Sequence, residues 1–285
     1  MIRNRTHRNR RGFSLIELLT VVSILGLLTA IFVGVLVSVR GDSATRTTNE
    51  TLNKIQAAIE QQVRIAGDVA KKERRDRAAA FTQLVPFCNN DEDRAEALLV
   101  VVKVRLQFPT SFAEATSPVT LSSSPLISYP APAAFRSVTG TFSAQEQAAI
   151  LLYLSLGERS TATDGVNTDQ ISQSDLAGTS YKVFRDAWGS PITYVRFAQN
   201  AELNQPTYAP AGGARDPFDP RGKLAAAWTN RAAAENALNL RFDGLNKVVT
   251  AHSAGKDKVL DTANNALASD DVWGYRVRKQ GQKTD

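Results

Sequence analysis

A basic N-terminus runs directly into a long apolar segment, and this boundary constrains the chain more than any other feature. Residues 1–12 hold five arginines and no acidic residue, whereas the 27 residues 13–39 hold one charged side chain, Glu17. A helix of that length measures about 40 Å, enough to cross a hydrocarbon core of about 30 Å. The arginines predict that the N-terminus stays in the cytoplasm and that the chain after the apolar segment lies on the other side of the membrane.

The small residue Gly12 comes before the apolar segment. An ordinary secretory signal has a shorter apolar region, followed by a small-residue cleavage site. Cleavage after Gly12 would remove the basic leader and leave the apolar helix on the mature protein.

The stretch Gly12-Phe13-Ser-Leu-Ile-Glu17, preceded by arginines, resembles the prepilin signal of type IV pilins and type II secretion pseudopilins. The resemblance implies that a prepilin peptidase cuts between Gly12 and Phe13 and methylates the new amine of Phe13. It also implies a single-pass protein of the bacterial inner membrane, with its head in the periplasm, that assembles into a periplasmic pseudopilus. Residues 1–12 are then the leader, and residues 13–39 the transmembrane and assembly helix.

Glu17 is predicted to act in assembly. An ionised carboxylate in a bilayer costs at least about 2.5–3.5 kcal/mol, so such a residue usually has a partner. The cationic amine created at Phe13 of a neighbouring subunit would compensate the charge and set the axial register. The alternative is a carboxylate near the helix end that extends to the membrane interface.

Composition limits the other functional classes. The formal charge of +6 falls to +1 without residues 1–12, because 29 Lys and Arg then face 28 Asp and Glu. The basicity is therefore a topology signal, and no nucleic-acid partner is expected. A single cysteine excludes an internal disulfide and a metal site built on cysteines. An enzyme is poorly supported, since phosphate-binding and nucleophile motifs are absent and the adjacent His252 and Ser253 do not suggest a catalytic pair.

An amphipathic helix is predicted to continue over residues 40–80, because apolar residues recur at spacings of three and four. These residues are Leu52, Ile55, Ile59 and Val63. The apolar stripe is expected to cover the sheet of the head, and the charged run 71–77 is interpreted as a solvated helix end.

The head is predicted to span residues 81–285, with insertions at about 81–140 and 198–236. Ser143 and Glu146 form a capping-box pattern, which predicts a helix ending at Gly157. The remaining predictions are a short helix from Ala95 leading into a strand at Leu98–Val104, a polar loop at 160–175, strands at 181–184 and 192–197, and an Ala-rich helix at 224–238.

The segment Asp186-Ala-Trp188-Gly189-Ser-Pro191 is predicted to form a tight turn between two strands. It resembles the Asp-x-Trp-Gly-x-Pro hairpin of major pseudopilins. The resemblance implies that the ring of Trp188 is buried against the helical stem.

A second resemblance lies near the C-terminus, where a strand enters a turn at Asp257 and Asp270-Asp271 follow. Major pseudopilins bind calcium in a similar loop, which implies Asp257, Asp270 and Asp271 as tentative ligands, with Asp261 a weaker candidate. Lys258 stands where that family usually has glycine, and an ammonium group opposes cation binding. The alternative interpretation is an acidic, solvated turn.

The sequence therefore predicts an α+β protein shaped like a ladle, with a long N-terminal helix and a head containing a small antiparallel sheet. The predicted function is a structural, non-enzymatic subunit of a type II secretion pseudopilus. The expected partners are the prepilin peptidase, copies of itself and other pseudopilins, and the inner-membrane secretion platform. The alternative is a type IV pilus or competence-filament pilin.

Overall fold

Helix α1 (Leu15–Arg75) is the longest element, with 61 residues. The computed structural model describes residues 15–122, 125–157, 173–176, 178–199, 201–205, 216–260 and 270–281. The chain divides into two compact units, residues 1–46 and residues 47–285. The second unit contains the last part of α1 and all the other elements.

The last part of α1 is amphipathic, as predicted. Leu52, Ile55 and Ile59 are fully buried in the core of the second unit, and Val63 packs against that core. The helix ends earlier than residue 80, because the backbone turns left-handed at Arg77 (φ 51°).

The predicted solvated end of α1 holds for five of the seven residues of the run 71–77, which are exposed, but is wrong for Glu73 and Arg74, which pair with another helix. The guanidinium of Arg74 lies 2.7 Å from Asp93 and 2.6 Å from Glu96. The ammonium of Lys103 lies 2.7 Å from Glu73. The three partners Asp93, Glu96 and Lys103 belong to the helix at Glu92–Gln107, so the charged run joins two elements rather than facing solvent alone.

The prediction of a strand at Leu98–Val104 is wrong, because these residues belong to helix α4 (Glu92–Gln107). This helix follows the short helices α2 (Ala79–Thr82) and α3 (Leu84–Phe87) and is capped by Asp91, whose side chain accepts a hydrogen bond from the Arg94 amide. Its apolar residues recur at helical spacing and are buried, so packing outweighs the strand preference of valine. The buried apolar residues are Ala95, Leu98, Leu99, Val101, Val102 and Val104.

Helix α6 (Ala144–Leu156) confirms the capping-box prediction. The Ser143 hydroxyl accepts from the Glu146 amide, and the Glu146 carboxylate accepts from the Ser143 amide at 2.9 Å. The helix is preceded by α5 (Phe112–Thr116) and a 3-10 turn at Ala133–Phe135.

Helix α7 (Arg231–Leu238) is shorter than the Ala-rich helix predicted at 224–238. The prediction is wrong for residues 224–230, which are not helical. There the carboxylate of Asp219 accepts hydrogen bonds from the amides of Lys223, Leu224 and Ala225. These bonds hold the backbone in turns, and Leu224 and Trp228 are buried.

The described strands form three small antiparallel sheets. Strands β1 (Val119–Leu121) and β2 (Ile127–Tyr129) form one sheet, and β3 (Gln173–Asp175) and β4 (Lys182–Phe184) form another. The third sheet has the order β5 (Thr193–Ala198), β6 (Val248–Ser253) and β7 (Val272–Trp273), and helix α8 (Gly274–Gly281) follows it.

The strands at 181–184 and 192–197 are thereby confirmed, whereas the predicted polar loop is wrong for Gln173–Asp175, which pairs with β4. Residues 160–172 of that loop lie outside the described residues. The predicted fold class, α+β with a long N-terminal helix and small antiparallel sheets, is confirmed.

Gln56 joins α1 to the three-stranded sheet. Its side-chain amide donates to the Val249 carbonyl at 3.0 Å and accepts from the Ala251 amide at 3.1 Å. Strand β7 pairs with β6 only at His252 and Ser253. The glutamine therefore bonds to the backbone of β6 where β7 does not reach.

Candidate processing and assembly segment

The predicted processing and assembly residues lie at the start of the chain. Gly12 and Phe13 are outside the described residues. Glu17 lies in the first turn of α1, and its side chain is not described. Their roles stay predictions, as does the membrane span at 13–39. Within the part of the chain that the structure describes, no helix is both long and apolar enough to span a membrane.

The first turns of α1 expose an apolar surface. The exposed fractions of these side chains run from 49% for Val21 to 82% for Leu15. The exposed large apolar residues are Leu15, Ile16, Leu18, Leu19, Val21, Val22, Ile24, Leu25, Leu27, Leu28, Ile31 and Phe32. At 100° per residue they surround the helix, and we call this the apolar sleeve. A contiguous apolar surface of this kind marks a site of contact with another apolar body.

Two hydroxyl groups within the apolar sleeve are bonded inside the helix. Ser23 donates to the Leu19 carbonyl at 2.8 Å, and Thr29 donates to the Leu25 carbonyl at 2.7 Å. Neither hydroxyl depends on water for a hydrogen bond. The sleeve can therefore enter an apolar environment without leaving these groups unsatisfied.

The turn between β4 and β5 forms as predicted and is built around Asp186. One carboxylate oxygen accepts from the amides of Trp188 (3.0 Å) and Ser190 (2.8 Å). The other accepts from the Ser253 hydroxyl at 2.8 Å, which ties the turn to the end of β6. Gly189 adopts a positive φ of 85°, which favours glycine.

The backbone of this turn bonds to helix α1. The Ala187 amide donates to the hydroxyl of Thr48 at 3.1 Å. Trp188 is only half-buried, so the prediction of a buried ring is wrong. The contact that places the turn on α1 requires a small polar side chain on the helix, and sequence reasoning did not single out Thr48.

The C-terminal acidic loop is organised by Asp270. Its carboxylate accepts from the amides of Lys256 (2.6 Å) and Asp257 (3.0 Å). A Cβ atom at residue 255 would lie 2.3 Å from the Asp270 carbonyl oxygen, so this approach requires Gly255. Lys258 has a φ of 64°, the left-handed conformation that favours the glycine found there in the resembling family.

Asp271 pairs with His252 and not with the backbone amides of the acidic loop. Its carboxylate lies 2.8 Å from Nε2 of His252, and both side chains are buried. The imidazole stacks on Trp273 with ring centroids 3.8 Å apart. Asp271 therefore completes a packed polar pair instead of joining the acidic loop.

The described residues do not form a calcium cage. Calcium takes six to eight oxygen ligands. Asp257 accepts from the Val259 amide at 2.8 Å, while Asp270 and Asp271 bond to different groups. Among residues the structure describes, no three His, Cys, Asp or Glu side chains are grouped to hold a metal ion. Asp261 lies outside the described residues, and the calcium site stays a prediction from resemblance.

Gln56 is the main residue that sequence reasoning missed. It lies within the buried face of α1, beside Ile55 and Ile59. A polar side chain inside an apolar stripe is the available signal, because a buried amide needs hydrogen-bond partners.

Comparison with known proteins supports the N-terminal interpretation. Residues 7–33 match the family described as the prokaryotic N-terminal methylation motif. That range contains Gly12, Phe13 and Glu17. No curated protein and no solved structure matches the chain. The matched motif and the apolar sleeve support a type IV pilin-like filament subunit carrying a prepilin signal.

Proposed function

We propose that this chain is a structural subunit of a type II secretion pseudopilus. The prepilin peptidase cuts after Gly12 and methylates Phe13, and the mature chains then polymerise through α1. Growth of the filament supports protein export across the outer membrane. The observation that carries the proposal is the apolar sleeve, which lies within the matched methylation motif at residues 7–33 and follows the basic leader.

The apolar sleeve supplies the surface for polymerisation. Fully burying a Leu, Ile, Val or Phe side chain contributes about 1.5–3 kcal/mol, so twelve such residues make prolonged exposure to water very unfavourable. The sleeve must therefore lie in lipid or against other helices. We propose that it anchors the subunit in the inner membrane before assembly, with the head in the periplasm.

Apolar contact alone does not select the filament. Lipid tails are as apolar as leucine, so helices in a bilayer associate through packing and polar contacts. An ion pair between Glu17 and the Phe13 amine of a neighbouring copy gives both charges a partner and fixes the axial register. This pair would favour assembled subunits over isolated ones.

Two observations support a pseudopilin over a pilus or competence pilin. The segment that resembles the major-pseudopilin hairpin in sequence does form a tight turn, in which the Asp186 carboxylate accepts from two backbone amides. The chain also has a single cysteine, Cys88, and so lacks the C-terminal cysteine pair common in such pilins. The proposed partners are the prepilin peptidase, other pseudopilins and the inner-membrane secretion platform.

N-terminal sequencing of the protein from membrane fractions tests the processing. The wild-type chain should begin at methylated Phe13. Gly12→Trp should retain Met1 and the leader, whereas Gly26→Ala, where a Cβ meets nothing within 4 Å, should be processed normally. A leader retained in wild-type filaments would overturn the proposal.

A gene deletion separates the two filament types. Loss of the pseudopilin should trap exported proteins in the periplasm without removing surface pili. Normal export, together with loss of surface pili, motility or DNA uptake, would instead identify the pilus alternative.

A further inference from the structure

Lys247 is a buried cation held between two carboxylates. Its side chain is 1% exposed and lies just before β6. The ammonium nitrogen is 2.6 Å from Asp243 Oδ1, 3.1 Å from the Leu245 carbonyl and 3.4 Å from Asp216 Oδ2. A nucleophilic nitrogen and two carboxyl groups therefore share one small site.

The two carboxyl groups have different surroundings. The Asp216 side chain is 6% exposed, whereas that of Asp243 is 32% exposed. Burial raises the pKa of Asp216, even though the Phe218 amide and the Lys247 charge oppose this effect. Burial also acts on Asp243, but hydrogen bonds from Lys247 and Gln199 leave its pKa lowered. Asp216 is thus the more easily protonated, electrophilic group, and Asp243 is the carboxylate that stays ionised and available to receive a proton.

Burying this charge pair is costly. Each ion loses hydration in the interior, and the attraction between the two ions often fails to compensate that loss. A neutral amide is far cheaper to bury than two charges. The site therefore favours a reaction that converts the ammonium and the carboxylate into an amide.

We propose that Lys247 and Asp216 form an intramolecular isopeptide bond in the folded protein. One ammonium proton of Lys247 passes to the carboxylate of Asp216, which leaves a neutral amine facing a carboxylic acid. The Nζ atom of Lys247 then attacks Cγ of Asp216, an N–C bond forms, and the C–OH bond of the carboxyl group breaks. Asp243 accepts a second proton from Nζ and passes it to the departing hydroxyl, which leaves as water. The third proton stays on the amide nitrogen, so no cofactor or oxidant is consumed.

The bond would close residues 216–247 into a covalent loop. That loop contains α7 and the turn organised by Asp219, and it ends at Lys247, one residue before β6 begins at Val248. A closed loop restricts the conformations of the unfolded chain, and a pulling force cannot extend residues 216–247 while the bond remains.

Intact mass measurement of the full chain under denaturing conditions tests the proposal. The mature protein should weigh 18 Da less than its sequence plus the N-terminal methyl group. Trypsin should fail to cut after Lys247 and should release a branched peptide joining residues 216–221 to residues 242–256. A full sequence mass, with cleavage after Lys247, would overturn the proposal and leave an ordinary ion pair.

One artefact gives the same mass change and must be distinguished. An Asp-Gly pair such as Asp243-Gly244 can lose water to form a cyclic imide, which leaves the peptides linear. A deficit of 18 Da found only in linear peptides would also overturn the proposal.

Two variants test the roles of the residues. Lys247→Arg keeps a cation between the carboxylates but should show the full mass and lose the branched peptide. Asp243→Asn should slow the appearance of the branched peptide by about a hundredfold or more, as expected when a proton acceptor is removed. Formation at the wild-type rate in Asp243→Asn would overturn the role given to Asp243.

Discussion

The side chain of Gln56 occupies the space that a Cβ atom at Gly274 would need. Such an atom would lie 2.5 Å from Gln56 Oε1 and 3.2 Å from its Cβ. The same oxygen accepts from the Ala251 amide, so it cannot move aside without losing a buried hydrogen bond. The glycine that opens α8 therefore allows α1 to bond to strand β6.

Gly274→Ala should destabilise the protein by about 1–3 kcal/mol, because the displaced amide leaves buried polar groups unsatisfied. Gly67→Ala is the matched control, since that helical glycine has nothing within 4 Å of its Cβ position. The control should be neutral or more stable by up to about 1 kcal/mol. Denaturant unfolding of both variants in detergent measures the difference. Equal stability of the two would contradict the role of Gln56.

Glu17→Ala should leave the chain processed and in the membrane but without ordered filaments, because the Phe13 amine loses its partner. Asp68→Ala, which removes a side chain that is 67% exposed on the same helix, is the control and should assemble normally. Electron microscopy of sheared or overexpressed filaments provides the measurement. Normal filaments from Glu17→Ala would count against pairing between subunits.

Glu114 is a carboxylate with several partners, and its side chain is 13% exposed. It accepts from Arg196 at 2.6 Å, from Arg105 at 2.7 Å, and from the Thr110 amide at 2.7 Å. Burial alone would raise the pKa of Glu114, but the charge of Arg196 and the hydrogen bonds from Thr110 and Arg105 lower it to about 2.

The lowered pKa of Glu114 predicts acid sensitivity. Its stabilising effect is present above the unfolded pKa of about 4.5 and is lost as the pH falls through about 2. That change amounts to about 3 kcal/mol of the free energy of unfolding. The free energy should be measured from pH 6 to pH 2 for the wild type and Glu114→Gln, and the difference between them should shrink at low pH. A constant difference would show that Glu114 is not the titrating group.

Asp270→Ala should destabilise the C-terminal loop by about 1–3 kcal/mol, because two backbone amides lose their acceptor. Because these bonds involve no metal ion, Asp270→Ala should lose the same stability in the presence of calcium and in the presence of a chelator. Asp257→Ala removes a single amide acceptor and should cost less. Melting temperatures in both conditions provide the test. A calcium-dependent rise that either variant abolishes would restore the calcium site implied by resemblance.

Local patterns were read correctly from the sequence where the interaction itself is local. The capping box at Ser143 and Glu146 spans four residues, and the Asp186 turn is closed by bonds from the Trp188 and Ser190 amides to the Asp186 carboxylate. The N-terminal signal is also local, and the matched methylation motif supports it.

Errors arose where distant contacts decide the outcome. The valines of α4 favour a strand by propensity, but burial on several sides selects the helix. Arg74 was interpreted as solvated because Asp93 and Glu96 lie far from it in sequence. The pairing of Asp271 with His252 likewise cannot be read from the acidic spacing that suggested a calcium loop.

Thr48 and Gln56 lie two turns apart on α1 and both bond to backbone atoms of the sheet region. Apolar contacts can slide under force, whereas directional bonds resist displacement along the helix axis. An axial thrust on residues 48–56 of α1 would thus be transmitted directly to strand β6 and to the Asp186 turn.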